Sequence, residues 1–283
     1  MKLMIRAHDL GVKGEENIVK RLDELELDGV QLVAYKSIEN VSYSEGSLTE
    51  DRARLIGKTI KDAGKEVALV GAYFNPVHPN REKAQHGDRM FREYLSLSAL
   101  LGCLIVGSET GSYMGDPWGY HEDNRTDEAF LRVVDTFRAL ADYADKLGAS
   151  VAIEGAFNHV CYSPDVLYKA KKEIGCHNVR VIFDLYNYLD ISNYTDAYSI
   201  LRRGHELFGS DILLYHLKDF TVEGGALKQC AVGKGLLDYK CILGEIYAHN
   251  KDAVLVLEGT VGEDIPTSVQ FIREITRQIT KVE

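Results

Sequence analysis

Short runs rich in Val, Ile and Leu recur along the chain, and each is followed by a longer amphipathic stretch. The runs read KLMIRA, GVQLVAY, EVALVGAYF, CLIVGSE, SVAIEG, VRVIFDLY, ILLYHLKD and AVLVLEG. Continuous apolar runs of this length predict strands buried on both faces. Between them lie helical patterns. In TDEAFLRVVDTFRALADYADKLG, the residues Phe130, Val133, Val134, Phe137, Leu140, Ala141, Ala144 and Leu147 recur every three or four positions, which predicts one buried helical stripe. Thr126 is placed to cap its start and Gly148 to stop it. Glycine closes other helical stretches the same way, in KDAGKE and KKEIGC.

Eight strands alternating with helices are what a closed parallel sheet wrapped by helices requires, and 283 residues lie near the ~250 typical of that design. The expectation is α/β, a single (β/α)8 TIM barrel over 1–283. Its rival, an open doubly wound sheet, lacks a GxGxxG after the first strand. No domain-sized linker or low-complexity stretch divides the chain. The long polar loop GSYMGDPWGYHEDNR follows the fourth run, and such loops carry function in barrels, so Trp118 and His121 are candidates to cover a pocket.

Composition narrows the partners. A net charge of −10 without a Lys/Arg cluster argues against an electrostatic grip on nucleic acid or anionic lipid and points to a small-molecule ligand. Five cysteines without a CxxC pair read as reduced thiols that mostly pack. No apolar run approaches the ~18 residues of a membrane span, and MKLMIRAHDLG turns polar too soon for a signal peptide. A cytoplasmic protein is expected, with a homo-oligomer left open.

In a barrel all strand C-termini share one face. Four successive runs there end in potential metal ligands: Glu154 in VAIEG, Asp184 in VIFDLY, His216 in LLYHLKD and Glu258 in VLVLEG. Singly, each has an ordinary structural reading as a cap, an ion-pair partner or a satisfied core histidine. Together, three carboxylates at one mouth would repel and raise one another's pKa values unless a cation compensates. Three oxygen donors and one imidazole suit a divalent ion such as Mn, Mg, Co or Zn.

Further along the same face lie His8, Asn75, His78, Glu109, Lys218 and Asp219, with Tyr35, Phe74 and Trp118 as apolar walls. Glu109, His78 and Lys218 rank first among them as substrate contacts. AVGKGLLDY lacks the spacing and the Ser/Thr of a phosphate-binding loop and reads as a turn into a helix.

Taken in order, IEGAFNHVCYSP, FDLYN, YHLKD, GKGLLDY and LEG give the chain a pattern that resembles the xylose-isomerase-like superfamily of TIM barrels. The similarity is to its sugar-phosphate isomerase/epimerase branch, with ketose 3-epimerases and inosose isomerases. The resemblance implies that Glu154, Asp184, His216 and Glu258 hold one divalent metal ion and that Glu154 and Glu258 form the acid/base pair. It also implies that His159 is a pocket residue. Many relatives read Asp-x-x-His after the sixth strand, whereas this chain has Asp184, Leu185, Tyr186 and Asn187. Asn187 can donate a hydrogen bond to a substrate hydroxyl but cannot carry a proton.

The implied activity is a metal-dependent sugar isomerase or epimerase, with proton transfer by the glutamate pair through a metal-stabilised enediolate and a small sugar or polyol as substrate. Three alternatives stay open. One is a dehydratase acting on a keto-inositol-like compound. Another is an abasic-site endonuclease-like protein, which would need more His and carboxylate ligands and a basic surface. The last is a non-catalytic metal-binding barrel.

Overall fold

In the computed structural model, which describes residues 1–281, the predicted runs form β1 (Lys2–Arg6), β2 (Gly29–Leu32), β3 (Glu66–Gly71), β4 (Ile105–Glu109), β5 (Ser150–Glu154), β6 (Val179–Asp184) and β7 (Ile212–Leu217). A hairpin intervenes, of β8 (Asp219–Glu223) and β9 (Ala226–Cys230), before the last barrel strand, β10 (Val254–Leu257). The ring closes in the order β1-β10-β7-β6-β5-β4-β3-β2, with every neighbouring pair parallel. Around it lie α1 (Glu15–Glu24), a short α2 (Ala34–Ser37), α3 (Glu50–Asp62), α4 (Arg81–Leu97), α5 (Asp127–Asp145), α6 (Pro164–Ile174), α7 (Ala197–Phe208), α8 (Tyr239–His249) and α9 (Asp264–Thr280). The architecture is a single (β/α)8 barrel.

Strand side chains alternate between two faces, and the barrel uses that alternation to build two cores. One lies between the strands and the helices. The other fills the lumen and consists of Met4, Leu69, Ala152, Ile182, Leu214 and Val256, each fully buried. Two residues further along their strands, facing the same lumen at its C-terminal mouth, stand Arg6, Glu154, Asp184, His216 and Glu258. The C-terminal mouth is thus one side-chain layer above an apolar floor.

Helix α5 shows how the pattern resolves. Thr126 accepts a hydrogen bond from the Ala129 amide at 3.2 Å, and Val133, Val134, Phe137, Leu140, Ala141 and Ala144 are buried. Leu147 departs from the predicted stripe: the helix ends at Asp145 and Leu147 is exposed, because the turn into Gly148, at φ +63°, rotates it off the buried face. The hairpin was not anticipated. Its strands meet at Gly224–Gly225, both at positive φ, as a two-residue hairpin turn requires. Asp219 anchors the predicted turn before α8, accepting from the amides of Gly233 at 3.0 Å, Gly235 at 2.9 Å and Leu237 at 3.1 Å.

Candidate active site

Glu154, Asp184, His216 and Glu258 come together at the mouth, each offering a ligand atom within 4.8 Å of the others. Among the described residues they are the one group of three or more such side chains with this spacing. The centre is Nδ1 of His216, which lies 2.9 Å from Glu258 Oε2, 3.2 Å from Glu154 Oε1 and 3.5 Å from Asp184 Oδ2. Glycine sets the backbone after both glutamates. A Cβ on Gly155 would stand 2.5 Å from the Cys161 carbonyl oxygen and 2.7 Å from Tyr188 Oη, while Gly259 turns at φ +70° under the Gln229 amide.

A network outside this group decides which imidazole nitrogen carries the proton. The Tyr73 hydroxyl is directed at Glu154 Oε2, 3.5 Å away, and accepts from Gln31 Nε2 at 2.7 Å. That orientation turns Gln31 Oε1 toward His216 Nε2, at 2.6 Å. An amide oxygen only accepts, so Nε2 keeps the hydrogen and Nδ1 faces three carboxylates with its lone pair. This arrangement is stable in two ways: with a second proton on Nδ1, or with a cation among the four side chains. Without a cation, burial lowers the His216 pKa but Glu154 and Glu258 outweigh it and hold it well above the usual imidazole range. The donor set, the orienting contact on the far nitrogen and Asp184 Oδ2, which makes no aligned hydrogen bond, all fit a divalent metal.

Two cations flank the carboxylates. Lys218, itself buried, places Nζ 2.9 Å from Asp184 Oδ2 and 2.8 Å from Glu258 Oε1. Burial disfavours its charge, yet Asp184 and Glu258 more than compensate and its pKa is raised. Arg6 reaches Glu258 Oε1 at 2.8 Å and is tied to Asp9 at 2.8 and 3.1 Å. Asp9 in turn accepts from the Gly259 amide at 2.8 Å, which fixes the backbone beside Glu258.

The remaining candidates divide between cavity and scaffold. Asn187 donates from Nδ2 to Glu154 Oε1 at 2.7 Å and accepts from Lys218 Nζ at 2.9 Å, so its amide bridges two charged groups. Glu109 pairs in register with Glu154 on the adjacent strand. Burial and then the Glu154 charge push its carboxyl up to about 8. Glu109 and Trp118 line a cavity of about 270 Å³ with Glu154, Glu258, Arg6 and Tyr73.

His159 is buried against Trp118, ring centroids 5.7 Å apart, and burial lowers its pKa to about 4. Its loop is pinned by Arg125, which donates to the carbonyls of His159 and Phe157 at 2.7 and 2.6 Å. His78 lies in an adjoining cavity, 3.3 Å from Asp116.

Other expectations change. His121 does not cover the pocket; its ring caps a short turn by accepting from the Asp123 amide at 3.2 Å. Asp219 binds loop backbone, whereas Asn75 both binds loop backbone and lines the cavity that holds His78. The sequence reading passed over Arg6, Gln31, Tyr73 and Asp9. The signal for Gln31 was present, as an amide in the apolar run GVQLVAY that is fully buried in the structure.

The chain has no sequence match among curated proteins. Solved structures share its fold at low identity. A D-tagatose 3-epimerase-like protein superposes with a TM-score of 0.76 at 17% identity, over 99% of both chains. The IolI protein with a bound zinc atom gives 0.73 at 15%, over 99% of this chain and 98% of the other. The 3-keto-D-glucoside 4-epimerase YcjR from E. coli gives 0.71 at 17%, over 99% of both. The family described as xylose isomerase-like TIM barrel matches residues 19–275. With most of its length matched and the barrel closed, the chain belongs to the xylose isomerase-like TIM barrels.

Proposed function

We propose that this protein is a divalent-metal-dependent sugar isomerase or epimerase, with Glu154, Asp184, His216 and Glu258 as metal ligands and Glu154 and Glu258 as the proton-transfer pair. The observation that carries the reading is the convergence of these four side chains under a polar cavity. It is supported by epimerases among the structural neighbours and by the zinc bound in one of them. When bound, a divalent ion supplies electrostatic stabilisation for the negative charge that develops on substrate oxygen as a carbon-bound proton leaves.

The chain's own residues do the rest. β5 and β10 stand three places apart in the eight-membered ring, so Glu154 and Glu258 approach a sugar in the cavity from different sides. One glutamate takes the proton and the other returns it to the opposite face, or to the neighbouring carbon. Asn187 holds Glu154 in place, and Arg6 and Lys218 hold Glu258. Trp118 and Tyr73 wall the cavity. The endonuclease alternative finds less support, since the described residues gather one four-ligand group.

Incubating the metal-loaded protein with a panel of ketoses and ring-ketone glycosides in D₂O and following carbon-bound proton exchange by NMR tests the assignment. Exchange on at least one member is expected, slowed about 10²- to 10⁴-fold by Glu258→Gln. No exchange across the panel, or exchange as fast in the variant, rejects it. Loss of water from a substrate, seen as a mass decrease, would favour the dehydratase alternative.

A further inference from the structure

The cavity over Glu154 and Glu258 does not end at Trp118. A second cavity of about 350 Å³ opens beyond it, and Tyr73 and Trp118 line both. The two are also joined along another wall. Tyr35 of the first packs on Tyr43 of the second, ring centroids 4.8 Å apart. Four aromatic rings therefore run from the reacting end into the adjoining space.

Polar groups border this aromatic surface. Asp116 accepts a hydrogen bond from Lys83 at 2.5 Å and lies 3.3 Å from His78 Nε2, and half of its side chain faces solvent. An aromatic surface bordered by a carboxylate, an ammonium and an imidazole is the chemistry that recognises a ring with one apolar face and hydroxyls at its edge. The first cavity alone is small for a ligand site and the second lies near the low end of the usual range. Their shared walls make them two compartments of one groove.

We propose that the second cavity is a subsite for the ring attached to the reacting sugar, so that the substrate is a glycoside whose reacting ring carries a ketone away from the anomeric carbon, rather than a free monosaccharide. The inference rests on the reading that the reacting sugar lies at Glu154 and Glu258. The attached ring, a second sugar or an aromatic aglycone, lies on Tyr43 and against Trp118, with its polar edge toward Asp116 and His78.

Trp118 is the one tryptophan of the chain, so its fluorescence reports on the wall between the compartments. Metal-loaded protein is titrated with the methyl, phenyl and glucosyl glycosides of one hexose oxidised to a ketone at the same ring carbon, in both anomeric forms. The phenyl or the glucosyl glycoside is expected to bind at least about tenfold more tightly than the methyl glycoside, and which of the two wins identifies the attached ring. Tyr43→Ala is expected to erase the difference and Tyr43→Phe, which keeps the ring, to retain it. Equal affinities, including no measurable binding of any, overturn the proposal. So does a difference that survives in Tyr43→Ala or is lost in Tyr43→Phe. Proton exchange in D₂O on the same samples separates the two readings. Preferential binding without exchange rejects the isomerase assignment and keeps the subsite, and exchange without preference does the reverse.

Discussion

Replacing Gln31 by Met tests whether the far side of His216 prepares it for a metal. The substitution keeps the length of the side chain at a fully buried position and removes the carbonyl that accepts from Nε2 at 2.6 Å. In the metal-free protein His216 holds both ring hydrogens, so the variant can release the one on Nε2 and keep the one on Nδ1 that faces Glu258 Oε2, 2.9 Å away, at the cost of its charge among three carboxylates. Metal binding reverses that choice and buries an Nε2 hydrogen without a partner. The unpartnered donor falls on the bound state, while giving up the charge falls on the metal-free state and offsets part of it; an unsatisfied buried donor is worth about 1–3 kcal/mol, so the loss of metal affinity is bounded at roughly 5- to 150-fold. Losing a contact that orients a metal-bound histidine typically weakens binding about 10- to 100-fold. Calorimetric titration of chelator-stripped protein with Mn²⁺ measures it. Gln31→Glu, which keeps an acceptor, should recover most of the loss. A dissociation constant for Gln31→Met within about twofold of wild type refutes the argument.

Lys218→Met removes the ammonium between Asp184 and Glu258 and should destabilise the metal-free protein by about 3–5 kcal/mol in urea unfolding; a loss below about 1 kcal/mol would show that the pair is not balanced by Lys218. Gly155→Ala drives a Cβ against the Cys161 carbonyl and Tyr188, so about 1–3 kcal/mol of stability should disappear, with an unchanged urea midpoint counting against the close approach. His205 is buried beside a stacked His249 ring, and burial first, then His249, lower its pKa to about 4 against the opposing pull of Glu245. The unfolded chain binds this proton first, so its contribution is complete above the ordinary value of about 6.5 and is lost as pH falls toward 4. Unfolding midpoints across that window should fall less steeply in His205→Gln, and parallel curves would exclude the assignment.

The barrel was legible because its strands are buried on both faces and read as unbroken apolar runs. The four clustered side chains were legible because charge at the end of such a run is conspicuous. Arg6 and Gln31 obey the same two-residue alternation, yet one looks like an ordinary basic residue at a strand end and the other is uncharged. Alternation counted from Met4 would have flagged Arg6, but the sequence does not say which residue faces the lumen until the ring is closed. The hairpin escaped because β9 is mostly exposed and polar, leaving Gly224–Gly225 as its only strong signal. Asn187 was expected to meet a substrate hydroxyl. Its bridge between Glu154 and Lys218 depends on β5, β6 and β7 being neighbours, which no local pattern contains.

The apolar plug of Met4, Leu69, Ala152, Ile182, Leu214 and Val256 turns the barrel into a blind well. Gly107 helps to seal it, since a Cβ there would stand 2.9 Å from Ile182 Cδ1. Nothing passes along the axis, so substrate, product, water and protons share one opening. For the sugar chemistry proposed above, water must leave before a ring can settle, and a product still in the well excludes the next substrate. For the proposed reaction, competitive product inhibition is the consequence of that shape, with every exchange passing the Trp118 side of the mouth.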